Sequence, residues 1–177
     1  MHIVILALAL LQPGSQDLFM VHGELQGLYE ELSQGVLQAG NETDLDDLDA
    51  VLYTPDWVLV DADGKQHGWP EIRDETIKAQ TSTPLERMTQ TIQKLSVASD
   101  RATVLVNVTI VRTIVDEDGR YGPKGRTLAL DETNLFRDTW VKDSTGWKLK
   151  SRKQVGQPKL RADESEYHRY LKENHVS

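Results

Sequence analysis

Apolar residues recur along this chain first in a helical rhythm and then in a strand rhythm. From Leu18 onward, Val21, Leu25, Leu28, Tyr29, Leu32 and Val36 fall at three- and four-residue steps, with His22 on the same stripe. That spacing predicts an amphipathic helix ending near Gly40-Asn41. A second helix follows, with Thr43 expected as its N-cap, Asp46 in the capping-box place, and Leu45, Leu48, Val51 and Leu52 facing inward. Tyr53-Thr54-Pro55-Asp56 breaks it. Trp57 to Asp61 then reads as a strand turning at Asp63-Gly64. Gln66, His67 and Gly68 form a short strand or loop, and a third helix begins at Pro70, where a missing N–H costs nothing.

Beyond Met88 the period is two. Two long runs reach to Val115 and join at Ser99-Asp100-Arg101, with Val104, Val106, Val108 and Ile110 on one face and Leu105, Asn107, Thr109 and Val111 on the other. A charged, Gly-containing loop from Asp116 to Arg126 is long enough for a mobile flap. Residues 131–155 then alternate on both sides of an Asp143-Ser144-Thr145-Gly146 turn, which predicts a β-hairpin. Asn134, Phe136, Asp138 and Trp140 share one face of its first strand, so an acid stands between two aromatics. Gln157-Pro158 marks the expected end of the sheet, and Asp163 to Asn174 reads as a polar helix. Helices that precede a run of strands, without βαβ alternation, indicate the α+β class.

The closing hairpin, with Trp140 and Trp147 straddling a Gly turn, resembles that of the NTF2-like superfamily, in particular its SnoaL-like and DUF4440-type branches. The Asp56–Lys65 segment, followed by Gly68 and the Pro70-Glu71-Ile72 helix, resembles the same pattern in order and spacing. The likeness runs from residue 17 to 155. It implies an NTF2-like (cystatin-like) cone: a curved antiparallel sheet wrapped around N-terminal helices and open at one end to a pocket. Relatives use that pocket for isomerisation, dehydration, hydrolysis or binding alone, commonly with an Asp or a His–Asp pair where they are enzymes, and often form homodimers through the open sheet face. Fold alone therefore does not choose a task.

Composition narrows the field. The 177 residues suit one domain, and a formal net charge of −8 disfavours a general nucleic-acid binder. There is no cysteine, hence no disulfide and no thiolate chemistry. Ile3 to Leu11 has the length of a signal-peptide apolar region and is too short to cross a bilayer, which predicts export to the periplasm or beyond. No Lys or Arg precedes it and the following segment is a poor cleavage site, so a buried first element is the other reading. The expected division is a signal peptide over 1–16, the domain over 17–155 and a helical tail over 156–177. Phosphate loops, H-E-x-x-H, G-x-S-x-G and EF-hand spacings are absent, and neither a metal nor a cofactor is expected.

Asp138 is the first candidate catalytic residue, a base made useful by an apolar face; otherwise it pairs across the strands with Arg152 or Lys150. His22 or a tyrosine is its candidate proton partner. Trp57, Asp61, Asn107, Asn134, Phe136 and Trp140 are candidate ligand contacts. Asp61 also suits an Asx turn, His67 a surface loop, and Trp147 the core. The expected function is binding of a small apolar or aromatic molecule, with cofactor-free acid–base chemistry as an extension. The rival is an interaction or dimerisation module with a filled cone.

Overall fold

The computed structural model describes residues 15–119 and 123–162; the apolar N-terminal run and the expected 163–174 helix lie outside them. The first helix, α1, covers Ser15–Gln38 and α2 covers Glu42–Leu52. α2 is capped two residues earlier than the Thr43 expectation. Asn41 is the N-cap, its side chain accepting from the Asp44 N–H at 3.2 Å, and Thr43 falls within the helix.

β1 follows directly (Tyr53–Val60), then β2 (Gln66–Gly68), α3 (Trp69–Ser82), β3 (Leu85–Ala98), β4 (Arg101–Asp116), β5 (Arg126–Asp143), β6 (Gly146–Gln154) and β7 (Lys159–Ala162). β1 therefore begins before Pro55, which does not break it. The register against β6 shifts between Tyr53 and Val58, and this irregular stretch accommodates a residue without an N–H. The sheet also continues past Pro158, where β7 pairs antiparallel with β5, Lys159 opposite Thr133 and Ala162 opposite Leu130. Sequence periodicity could not reveal four residues whose place is set by a partner strand.

The strand order is β2-β1-β6-β5-β4-β3, antiparallel except where β1 runs parallel to β6. β4 and β5, at 16 and 18 residues, are long enough to bend around the helices. Register shifts at Ile92/Lys94 and Thr139/Trp140 add local twist where the sheet must curl. The result is an open, curved antiparallel sheet wrapped on one side around the helices, an α+β cone.

The core lies between α1 and the concave face. Leu25, Tyr29 and Leu32 of α1 are buried against Ala102, Val104 and Val106 of β4, Trp140 of β5 and Leu149 of β6. Each fully buried aliphatic side chain here is worth about 1.5–3 kcal/mol. The helical stripe is narrower than expected: Leu18 and His22 are exposed, and Val21 is only partly buried against the core. At the other end, Gln80 of α3 donates its side-chain N–H to the Val36 carbonyl and fastens α3 to α1.

Candidate ligand-binding cavity

The inner face of β5 runs from the closed end of the cone to its mouth, through Trp140, Asp138, Phe136 and Asn134, paired in register with Ala102, Val104, Val106 and Val108 of β4. Asp138 lies opposite Arg152 of β6. This cross-strand placement brings the carboxylate and the guanidinium together: Arg152 Nε donates to Oδ1 at 3.0 Å and Nη2 to Oδ2 at 2.7 Å. Tyr29 Oη donates to Oδ2 at 2.8 Å and accepts from Trp140 Nε1 at 2.9 Å. Arg152 Nη2 also donates to Gln90 Oε1 at 2.7 Å, and Gln90 Nε2 donates to Ser33 Oγ on α1 at 3.2 Å. The guanidinium lies 5.0 Å from the Phe136 ring centroid.

This network satisfies its buried polar groups, as burial requires. Burial, and then the neighbouring Asp138 charge, push the Tyr29 hydroxyl well above its ordinary pKa, so it remains a donor. Burial opposes the charge on Arg152, but the Asp138 charge and hydrogen bonds outweigh it and hold the guanidinium protonated. Asp138 is fully buried and is not part of the cavity wall. The expectation of a base facing a pocket is corrected here: the cross-strand pairing with Arg152 occupies the carboxylate. Trp140 is likewise sealed beneath the network and does not line the cavity, contrary to its expected ligand contact.

Outward from that floor the cone holds a cavity of about 340 Å³ between α1, α2, α3 and the sheet. Its walls include Tyr53, Trp57 and Trp69, whose rings are in contact with one another, with Phe136 contributed by β5. Val108, Ile110 and Arg112 continue the inner register of β4 into it, and Arg152 lines it from behind. Size and lining are those of a small-molecule pocket.

Polar groups along these walls differ from those beneath. Trp57 Nε1 is buried without a hydrogen-bond partner among the described residues, as is Arg112 Nε. Burial holds the Tyr53 hydroxyl far above its ordinary pKa, hence neutral and able to donate. Asn134 lines the cavity but is engaged on both sides, donating to Glu132 Oε1 at 2.7 Å and accepting from Gln154 Nε2 at 3.1 Å.

The remaining candidates lie elsewhere. His22 is exposed on α1 and absent from the cavity wall, while its neighbour Val21 is the residue that packs on the core. Asn107 has the opposite parity to Val106 and Val108 and faces the outside of the sheet, away from any ligand in the cone. Asp61 closes the β1–β2 turn, Oδ1 accepting from Asp63 N at 3.0 Å and Lys65 N at 2.9 Å, and does not reach the cavity. Its Oδ2 lies 3.0 Å from His67 Nε2, and His67 Nδ1 lies 2.9 Å from Glu71 Oε1. His67 is therefore held between two carboxylates rather than loose on a surface loop. Trp147 is buried and donates to Glu24 on α1 at 2.9 Å.

Arg112 and Tyr53 were missed as site residues by reasoning from sequence. A signal for Arg112 did exist: it is the next even-numbered position after Val104, Val106, Val108 and Ile110, a cation prolonging an inward apolar face. Tyr53 looked like part of a helix break.

No protein-family model matches the chain, and no curated protein sequence does. Solved structures do match. One is an NTF2-like protein from Cytophaga hutchinsonii, 15% identical, with a TM-score of 0.53 over 76% of this chain and 97% of that one. A nuclear transport factor 2-like superfamily protein from Salmonella enterica is 18% identical, with a TM-score of 0.54 over 80% and 94%. A conserved protein from Planctomyces limnophilus is 14% identical, with a TM-score of 0.58 over 77% and 98%. At such identities the likeness speaks for the fold.

Proposed function

We propose that this NTF2-like domain is a small-molecule-binding protein that takes a flat apolar or aromatic ligand into the mouth of its cone. The observation that carries the reading is the open cavity of about 340 Å³ walled by Tyr53, Trp57, Trp69 and Phe136. A filled cone, which the rival interaction module requires, would have placed side chains in that space. Binding without Asp138 chemistry is favoured over base catalysis because the carboxylate is spent on Arg152 and Tyr29, on the far side of the cavity floor. Export belongs to the same proposal and rests on the Ile3–Leu11 run alone.

Native mass spectrometry of the protein purified from its own host, with and without Ala79→Trp, tests the reading. Ala79 lines the cavity from α3, so the indole would occupy it. The expected result is a retained small molecule on the wild type and none on the variant. An Ala79→Trp protein carrying the same adduct would place the ligand elsewhere and overturn the proposal.

A further inference from the structure

The donors left over in the cavity share one chemical property. Trp57 Nε1 can only donate, and so can every nitrogen of Arg112. Both Trp57 Nε1 and Arg112 Nε are shielded from solvent and unpartnered. The Arg112 side chain makes no hydrogen bond, ion pair or ring contact among the described residues. The contrast with Arg152 is instructive: two arginines share one wall, and only the deeper has a carboxylate against it. A half-buried guanidinium without a counter-charge is costly, and a ligand that supplies one recovers that cost on binding. The opposing charge in the lining, Glu75 of α3, is exposed at the rim and lies outside ion-pair distance of Arg112, so solvent screens it most.

We infer that the ligand is an amphipathic acid: a flat apolar body between the tryptophans and Phe136, and a carboxylate or similarly charged group on the guanidinium of Arg112. The inference rests on the small-molecule reading above and adds the chemical class of the ligand. Trp57 Nε1 supplies a further donor to an acceptor on the ligand body. Arg112 acts here as a binding residue, and a planar carboxylate suits its forked donors.

Three probes of one shape test this on the full chain: 2-naphthylacetate, 2-naphthylacetamide and 2-(2-naphthyl)ethylamine, followed by quenching of tryptophan fluorescence, since Trp57 and Trp69 stand in the wall. The acid is expected to bind at least about ten-fold more tightly than the amide, the range of a charge-assisted hydrogen bond, and the amine more weakly than either. Arg112→Met is expected to weaken the acid most and bring acid and amide to within about two-fold of each other, and Arg112→Lys to keep part of the preference. Ala79→Trp should abolish quenching by all three.

Equal binding of acid and amide, tighter binding of the amine, or an Arg112→Met that weakens acid and amide alike would overturn the acid-binding inference and leave the pocket reading standing. Quenching that survives Ala79→Trp, or no quenching by any probe, would remove the pocket reading and this inference with it.

Discussion

The closed end and the mouth of the cone are built from the same face of the same strands and are finished in opposite ways. At the closed end, Asp138, Tyr29, Trp140, Arg152 and Gln90 exchange hydrogen bonds until each is satisfied. Towards the mouth, Trp57 and Arg112 keep shielded donors without partners among the described residues. Between them stands Arg152, paired inward and lining the cavity outward. Completed polar networks fix how elements dock, because a misplaced partner strands a buried charge. Incomplete ones do not stabilise the fold, so their natural complement is a molecule from outside. Polar groups on one strand face thus serve architecture or recognition according to whether another part of the chain reaches them.

The sharpest break of this contrast is at the closed end. Asp138→Ala leaves Arg152 buried without its partner and is expected to cost about 3–5 kcal/mol, read from urea unfolding. A loss below about 1 kcal/mol would show that the pair does not hold the closed end together. Tyr29→Phe removes one hydroxyl that both donates and accepts, for an expected loss of about 1–2 kcal/mol in the same assay. An unchanged midpoint would mean that water replaces the hydroxyl.

At the mouth the order of effects should reverse. Arg112→Met removes a guanidinium that no described residue pairs with, so stability should change by less than about 1 kcal/mol. Affinity for 2-naphthylacetate should fall instead. A stability loss as large as that of Tyr29→Phe would mean that Arg112 belongs to the architecture.

The smallest effect is expected at His67, an ion-paired cluster outside the cavity. Both ring nitrogens face carboxylates, an arrangement that suits the imidazolium. The Asp61 hydrogen bond and then that of Glu71 raise the His67 pKa, while His67 lowers those of Asp61 and Glu71. The His67 contribution is therefore complete below the ordinary histidine value and lost as pH rises through the raised one. The carboxylate contributions are complete above the ordinary acid values and lost as pH falls through the lowered ones. The cluster should stabilise most between about pH 4.5 and 6.5. Thermal melts of wild type and His67→Gln should differ most in that window and converge towards pH 9. A constant difference would show that packing, not charge, sets the histidine's contribution.

Much of the fold was legible because periodicity records burial. The even-numbered valines of β4, the Asn134-to-Trp140 face of β5 and the stripe of α1 each announced an inner face, and their order gave the α+β cone. Periodicity failed where a neighbour decides the conformation: Asn41 capping α2, Pro55 admitted into an irregular β1, and β7 held by β5 beyond Pro158. The candidate site was legible only by face. Trp57, Asn134 and Phe136 do line the cavity, whereas Asp138 and Trp140, of identical parity, lie beneath it.

By itself, then, the sequence determined which side chains turn inward, because alternation along a strand and a stripe along a helix follow from backbone geometry alone. The tertiary structure decided how far in they go and whom they meet. Asp138 became a partner of Arg152 because β6 folds back opposite β5, while Arg112 was left without an ion pair because no described carboxylate lies within ion-pair distance of it. Depth and partnership depend on residues distant in sequence, and those distances close only when the sheet curls around its helices.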